Sequence, residues 1–163
     1  MHRVGLALPL LLIGLLLAPR PAVAQIEEVR IAVDGLTCTL CAAGLERSLR
    51  RMDDVSNVEI AVAEESAIVR LKSGRTFDPD TFRTAVKNAG QQVRTFELRV
   101  NGTVREQNGR YSVQPGNGTP LVVTSQSASR LKPFVGRTIQ ARGRVLTQAR
   151  ARMELELIDV VAR

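Results

Sequence analysis

Cys38 and Cys41 are the residues of this sequence whose type and spacing are best suited to chemistry. They are its only cysteines, and two residues separate them. Two thiolates held side by side bind soft metal ions, and the same spacing occurs in redox-active dithiols. A disulfide between the two cysteines would close a very small loop and would add little stability through loop entropy. The pair therefore predicts metal binding or thiol chemistry more strongly than a structural cross-link.

The residues around this pair predict a strand before it and a helix after it. From Val29 to Val33, apolar residues alternate with charged or small ones, as in a half-buried strand. From Leu45 to Met52, apolar residues recur at helical spacing. Cys38 is therefore predicted in the turn and Cys41 in the first turn of the helix. Unpaired N–H groups and the helix dipole at that end favour thiolate over thiol.

Heavy-metal-associated domains share a loop of the form Gly-Met-Thr-Cys-x-x-Cys-x-x-x-x-Glu, and the stretch from Gly35 to Glu46 resembles it. Such domains are found in copper chaperones, metal-pumping ATPases and periplasmic mercury-binding proteins. The resemblance covers roughly residues 27–97. It implies that Cys38 and Cys41 are metal ligands.

Two residues depart from the pattern of that family. Leu36 stands where the family usually has Met, and it can fill the same apolar anchor position. Gln91 follows Gly90 at a position where bacterial members often carry an aromatic residue near the metal loop. The surroundings of the metal, and with them the choice of metal, are therefore left open by the resemblance.

Two thiolates without a nearby imidazole suit a soft d10 ion that accepts two ligands. Cu(I) is the first choice and Hg(II) the second, whereas Zn(II) normally requires four ligands and is a poor third. Thr37 precedes Cys38, where zinc- and cadmium-type members of the family often place an Asp. Asp34 is interpreted as a strand-end cap rather than as a ligand.

An exposed ion with two ligands is suited to transfer, because an incoming thiolate can add to form a three-coordinate intermediate. No bond of a substrate has to break. We therefore expect a metallochaperone and not an enzyme. Its partners would be metal-donor or metal-acceptor proteins, such as a membrane transporter.

Two other functions stay open at this point. Cys-x-x-Cys is also the motif of thiol–disulfide oxidoreductases. Thioredoxin-like sites commonly have Trp before the first Cys and Gly-Pro between the two, whereas this chain has Thr37 and Thr39-Leu40. A scaffold protein with an inactive metal loop is the third interpretation, which the intact loop disfavours.

Residues 1–24 are predicted to be a secretory signal peptide. Arg3 precedes an apolar run from Val4 to Ala18, and Ala22-Val23-Ala24 has the small-x-small pattern of a cleavage site. A membrane anchor is disfavoured because the run is shorter than the roughly 18–20 residues that span a bilayer. We expect a periplasmic protein that begins at Gln25 and lacks the sole histidine, His2.

Residues 25–97 carry the pattern of an α+β domain. Alternating and helical periodicities follow in the order strand, helix, strand, strand, helix, strand, which is typical of the ferredoxin-like βαββαβ unit. Asp78-Pro79 predicts the start of the second helix, with Asp78 as N-cap. The aromatic residues of this half are predicted to lie in the core: Phe77, Phe82 and Phe96.

The pattern of residues 98–163 differs from that of residues 25–97, because short strands are predicted between turn signals such as Asn101-Gly102 and Asn108-Gly109. About five strands in so short a stretch predict a small β-barrel. The stretch 135–145 resembles the closing strands of small bacterial OB-like domains, in which Gly136 would open a strand and Gly143 would let it bend. The expected architecture is a ferredoxin-like domain followed by an OB-like barrel.

Charge is distributed unevenly between the two halves. Residues 25–96 carry a net charge of −1 and residues 97–163 a net charge of +6. The basic half could contact an anionic membrane surface or an acidic partner. Nucleic-acid binding is not expected, because this half offers only Tyr111 and Phe134 as stacking aromatics.

Overall fold

The structure, a computed structural model, describes residues 25–116, 118–148 and 152–163. The predicted signal peptide lies outside the described residues, so its cleavage stays a prediction. In the part of the chain that is described, no helix has both the length and the hydropathy needed to cross a membrane.

The described residues form eight strands and three helices. The strands are β1 (Ile26–Asp34), β2 (Val55–Ala61), β3 (Ser66–Leu71), β4 (Gln92–Gln107), β5 (Arg110–Gln114), β6 (Leu121–Val123), β7 (Thr138–Gln148) and β8 (Arg152–Ala162). The helices are α1 (Thr39–Arg50), α2 (Pro79–Asn88) and α3 (Ser125–Ala128), and two 3₁₀ turns span Val62–Glu64 and Lys132–Phe134.

The first half has the predicted ferredoxin-like arrangement. Its strands are antiparallel in the order β2-β3-β1-β4. Helices α1 and α2 contact each other and pack on this sheet through β2 and β4. The rings of Phe77, Phe82 and Phe96 are buried between them, with centroids 5.2 Å apart in both contacting pairs. The α+β class and the aromatic core are thus confirmed.

Local sequence signals account for the ends of α2. The Asp78 carboxylate accepts hydrogen bonds from the Asp80 N–H and the Thr81 hydroxyl, and Pro79 begins the helix. The Thr81 hydroxyl, which is the main cause, and the two backbone N–H groups lower the pKa of Asp78 below its ordinary value, although partial burial opposes them. Asp78 therefore caps the N-terminus of α2, as the sequence predicts.

Strand β4 is longer than predicted and belongs to both halves. It pairs with β1 through Gln92–Val100, with β7 through Glu97–Thr103 and with β5 through Thr103–Gln107. The expected turn at Asn101-Gly102 is therefore wrong, because both residues lie inside this strand. The predicted domain boundary between residues 97 and 98 also falls within β4.

A buried polar cluster explains why the strand continues through Asn101. The Asn101 N–H donates to the Gln25 carbonyl at 2.9 Å, and its side-chain amide donates to the Glu27 carboxylate. The Gln140 amide donates to the same carboxylate at 3.0 Å. Asn101 is only 1% exposed. These partners accept the hydrogen bonds of the backbone N–H and the side-chain amide N–H, whereas the buried Oδ1 of Asn101 has no hydrogen-bond partner among the described residues. The paired N–H groups account for the place of this residue in a sheet and not in a turn.

The strands of the second half extend the same sheet. Strand β5 pairs with β6, β6 pairs in parallel with β8, β8 pairs with β7, and β7 pairs with β4. All eight strands thus belong to one mixed sheet. The OB-like barrel predicted for residues 98–163 is not confirmed as a separate closed unit.

Gly143 lies where β7 and β8 approach each other closely. A Cβ atom at this position would be 2.6 Å from Cγ of Leu155, and the register of the two strands shifts between Arg142 and Gly143. Only a residue without a side chain fits there. The bend predicted at Gly143 is therefore consistent with the observed packing.

The sheet face turned away from the helices carries charged residues in register across both halves. One row runs through Arg30, Glu97, Arg144 and Glu156, which are successive cross-strand partners. Arg144 and Glu156 form an ion pair at 3.5 Å. Opposite charges on neighbouring strands stabilise a sheet modestly. The second half therefore adjoins the first at its edge and does not cover this face.

Candidate metal centre

The loop between β1 and α1 places the two cysteines. Gly35 has a φ of +87°, a backbone conformation that residues with a side chain rarely adopt. Leu36, which follows it, is 1% exposed and belongs to the hydrophobic core. The loop is thus fixed by an apolar anchor at Leu36, in the position that the sequence predicts for it.

Cys38 is the N-cap residue of α1. Its backbone is extended, with φ −139° and ψ 155°, and its Sγ accepts a hydrogen bond from the Cys41 N–H at 3.0 Å. A sulfur thus takes the place of the oxygen that usually caps a helix. The first turn of α1 contains no acidic residue that would oppose a thiolate. The predicted lowering of the thiol pKa stays a prediction.

The two cysteines are joined in a disulfide, with their Cα atoms 5.1 Å apart. Cys38 is exposed and Cys41 is partly buried. The sulfurs of a disulfide have no thiolate charge to offer a metal ion, so the bond must be reduced by two electrons before the pair can bind one. The structure therefore describes the oxidised form of the pair.

Leu40, between the two cysteines, is 84% exposed. The buried positions of α1 are Ala42, Leu45 and Leu49, and Leu40 is not on that face. A large apolar side chain thus stands in solvent beside the sulfurs. Sequence reasoning passed over this residue, although its place outside the apolar spacing of the helix was a usable signal.

Arg94 holds the base of the loop from the neighbouring strand. Its guanidinium lies 3.1 Å from the Asp34 carboxylate and 3.2 Å from that of Glu65. The Val33 N–H also donates to the Glu65 carbonyl at 2.9 Å. Because Arg94 engages the Asp34 carboxylate, the geometry agrees with the interpretation of Asp34 as a strand-end residue and not as a ligand.

Gln91 is buried at the junction of α2 and β4, with 5% of its surface exposed. Its neighbour Gln92 is the cross-strand partner of Asp34, so this junction adjoins the end of β1 from which the loop departs. Its side-chain Oε1 has no hydrogen-bond partner among the described residues. A polar residue thus occupies the position where the resemblance suggests an aromatic one.

No third His, Cys, Asp or Glu side chain is grouped with the two sulfurs among the described residues. Across residues 25–116, 118–148 and 152–163, no three His, Cys, Asp or Glu side chains are grouped so that they could hold a metal ion. Two sulfur donors fit a soft ion of low coordination number better than they fit Zn(II). Thr37 and Thr39, which flank Cys38, are both exposed.

Comparisons with known proteins concern mainly the first half. Residues 30–92 match the heavy-metal-associated domain. Copper-transporting ATPase 1 of Rhizobium meliloti (strain 1021) is 29% identical over 93 residues, which are 57% of this chain and 11% of that protein. Copper-transporting ATPase 2 of the same strain is 32% identical over 77 residues, which are 47% of this chain and 9% of that protein.

Solved structures also match part of the chain. Oxidised MerP from Ralstonia metallidurans CH34 is 23% identical, with a TM-score of 0.37, and the match covers 42% of this chain and 96% of that one. In contrast, the chain spans only about a tenth of the length of the two ATPases, 11% and 9%.

Proposed function

Residues 30–92 are a heavy-metal-associated domain, and we propose that through it the chain binds one soft metal ion and passes it to another protein. The observation that carries this proposal is the position of Cys38 and Cys41, adjacent at the N-terminus of α1 with Cα atoms 5.1 Å apart. Cu(I) is the first choice, since the two relatives described above are named copper-transporting ATPases. Hg(II) is second and Zn(II) third.

Reduction would prepare the pair for the ion without rearranging the backbone. A thiolate binds a metal at about 2.3 Å, so the sulfurs have to separate to roughly twice that distance on either side of a linear ion. Rotation of the side chains suffices, because Cys38 is exposed and its backbone is already outside the helix. The Cys41 N–H and the helix dipole then stabilise the thiolate of Cys38.

Transfer would proceed by ligand exchange at the exposed sulfur. A first thiolate of the partner adds to the ion, giving three sulfur ligands, and one of the two cysteines then leaves. A second thiolate of the partner replaces the other cysteine in the same way, so the ion ends with two sulfur ligands. Each step exchanges one metal–sulfur bond for another, so no electron is transferred. The partner is a metal-donor or metal-acceptor protein, such as a membrane transporter. Exposed Leu40 supplies an apolar contact next to the ion.

We place this activity in the periplasm, because residues 1–24 have the pattern of a signal peptide. That compartment is oxidising in bacteria, so the free dithiol would tend towards the disulfide. Bound metal or an external reductant must then maintain the thiolates. The metal-bound and disulfide forms exclude each other.

For the second half we propose a small OB-like barrel with a structural or docking role. Its support is the cycle of pairings β4-β5-β6-β8-β7-β4, the parallel β6–β8 contact and the short α3 before β7. Its net charge of +6 suits an acidic partner or an anionic membrane surface.

Amide hydrogen exchange tests whether this barrel is closed. The amides of β7, which lies between β4 and β8, should exchange slowly, and exchange at the rate of an edge strand would contradict the closed barrel.

The disulfide itself favours a second candidate, a thiol–disulfide oxidoreductase. In that case a substrate thiolate would attack one sulfur, and the pair would cycle between dithiol and disulfide. The absence of Trp and Gly-Pro around Cys38 and Cys41 disfavours it. If the chain were instead a scaffold protein with an inactive metal loop, it would neither bind metal nor catalyse disulfide exchange.

One experiment separates these functions. The reduced chain from Gln25 onwards is titrated anaerobically with Cu(I), Hg(II) and Zn(II) in competition with a chelator, and the same protein is assayed for disulfide reduction. The carrier proposal expects one tightly held Cu(I) per chain and exchange no faster than that of a small dithiol. Metal lost to a weak chelator together with catalysed disulfide exchange would establish the oxidoreductase instead.

A further inference from the structure

A cleft with a volume of about 810 Å³ lies between the two halves of the chain. One wall is the segment 73–77 between β3 and α2, and the other is formed around the loop that joins β5 to β6. A Cβ atom built on Gly118 would be 3.9 Å from Cγ2 of Thr76, so the two walls approach each other there. Neither Cys38 nor Cys41 lines this cleft.

The floor of the cleft is apolar. Ile26 and Phe77 from the first half and Leu121 from the second line it, and each is at most 6% exposed. Val122 and Met153 add partly buried apolar side chains. A hydrocarbon chain placed over this floor would lose its contact with water, which is the main favourable contribution to binding of apolar ligands.

Two arginines lie at the margins of the cleft, one from each half. Arg75 is exposed and lies 3.3 Å from the Asp54 carboxylate. Arg110 is exposed and has no ion pair within the described residues. Glu154 is the one acidic side chain among the described lining residues. The described lining thus carries two arginines against one glutamate, and because Asp54 already pairs with Arg75, Arg110 is the arginine best placed to bind an anionic head group.

We propose that this cleft binds a small amphipathic anion, namely an aliphatic chain with one carboxylate head group. The chain would cover Phe77 and Leu121, and the head group would accept hydrogen bonds from Arg110, with Arg75 adding attraction from the other wall. Guanidinium groups bind carboxylates through charge-assisted hydrogen bonds, which are stronger than neutral ones. The site is separate from the cysteine pair and does not depend on its function.

Decanoate at monomeric concentrations is a suitable probe. Its binding to the chain from Gln25 onwards is measured by calorimetry, with decanol as the neutral control. Arg110→Gln should weaken decanoate binding about tenfold, because one charge-assisted hydrogen bond is lost. Arg105→Gln is the matched control, since Arg105 is exposed on the neighbouring strand β4 and does not line the cleft. It should change the affinity less than twofold.

Val122→Trp fills the cleft from an outward, partly exposed strand position and should abolish binding while the unfolding temperature stays near that of the parent. Three results would overturn the proposal: decanoate binding that survives Val122→Trp, equal losses in Arg105→Gln and Arg110→Gln, or decanol binding as tightly as decanoate. A last measurement tests whether the chain binds phosphatidylglycerol vesicles. Binding to vesicles without binding to free decanoate would identify a membrane-contact surface and also overturn it.

Discussion

The two halves of the chain cover their shared sheet in different ways. In the first half, α1 and α2 pack on it, and α1 has twelve residues. Among the described residues of the second half, one helix, α3, forms and has four residues, and the strands β5 to β8 bury their apolar side chains against one another. A long helix brings unpaired N–H groups to its N-terminus, where a thiolate is favoured. The cysteine pair lies at such a terminus, that of α1 in the first half.

The halves are nevertheless joined more firmly than two domains on a linker. Strand β4 carries hydrogen bonds to both, and the Glu27 carboxylate of β1 accepts bonds from Asn101 and Gln140. Arg163 at the end of the chain lies 3.8 Å from the same carboxylate. The cysteine pair and the strands of the second half are therefore separate in the sequence, but both belong to one packed structure.

The largest effect is expected at the cysteines. Cys38→Ser or Cys41→Ser should reduce Cu(I) affinity at least a hundredfold, because one thiolate leaves a two-coordinate ion with half of its ligands. Chelator competition under anaerobic conditions measures the change. Leu36→Met is the control, since it keeps a buried apolar anchor of similar volume and should leave the affinity nearly unchanged. Tight binding by either serine variant would show that the pair is not the site.

Core truncations test whether the halves unfold together. Phe96→Ala should lower the free energy of unfolding by about 3–5 kcal/mol, and Ile139→Ala by about 2–5 kcal/mol. Phe96 on β4 is 1% exposed and packs in the first half. Ile139 on β7, in the second half, is fully buried. Because β4 is common to both cores, one cooperative transition is expected in urea for both variants. Two separated transitions would show independent domains.

Glu27→Ala should have an intermediate effect. The variant leaves the buried Asn101 amide without its acceptor, which costs about 1–3 kcal/mol. Part of that cost is recovered by water, because the Glu27 side chain is 31% exposed. Glu64→Ala is the control, since it removes only an exposed ion pair with Arg30. Equal losses in the two variants would contradict a special role for the Glu27 cluster.

The smallest effect is expected at the cap of α2. Asp78→Ala should lower the free energy of unfolding by about 1 kcal/mol. Because the folded state lowers the pKa of Asp78, this stabilisation is present at neutral pH, begins to fade near the ordinary value of 3.8 and is lost as the pH falls further. Urea unfolding of parent and variant between pH 2 and 7 should therefore converge at the acid end. A difference in the free energy of unfolding that stays constant with pH would contradict the role of the Asp78 carboxylate as the cap of α2.

Local signals in the sequence determined most of the first half and the place of the cysteines. Apolar periodicity located β1 and α1, and Asp78-Pro79 located the start of α2, because caps and periodicities depend on residues a few positions apart. The end of β2 is harder to locate from local signals, since the apolar alternation continues to Val62, where a 3₁₀ turn begins that Glu65 closes in a left-handed conformation. Such turns carry weaker local signals.

Tertiary structure decided what depends on distant partners. Asn101-Gly102 has the composition of a turn, yet it lies within β4 because Gln25 and Glu27, far away in sequence, accept hydrogen bonds from the backbone and side-chain N–H groups of Asn101. The sharing of β4 and the parallel β6–β8 contact likewise arise only in the packed chain. Hydrogen bonds between segments more than seventy residues apart leave no periodic trace in either segment, so composition alone could not have predicted them.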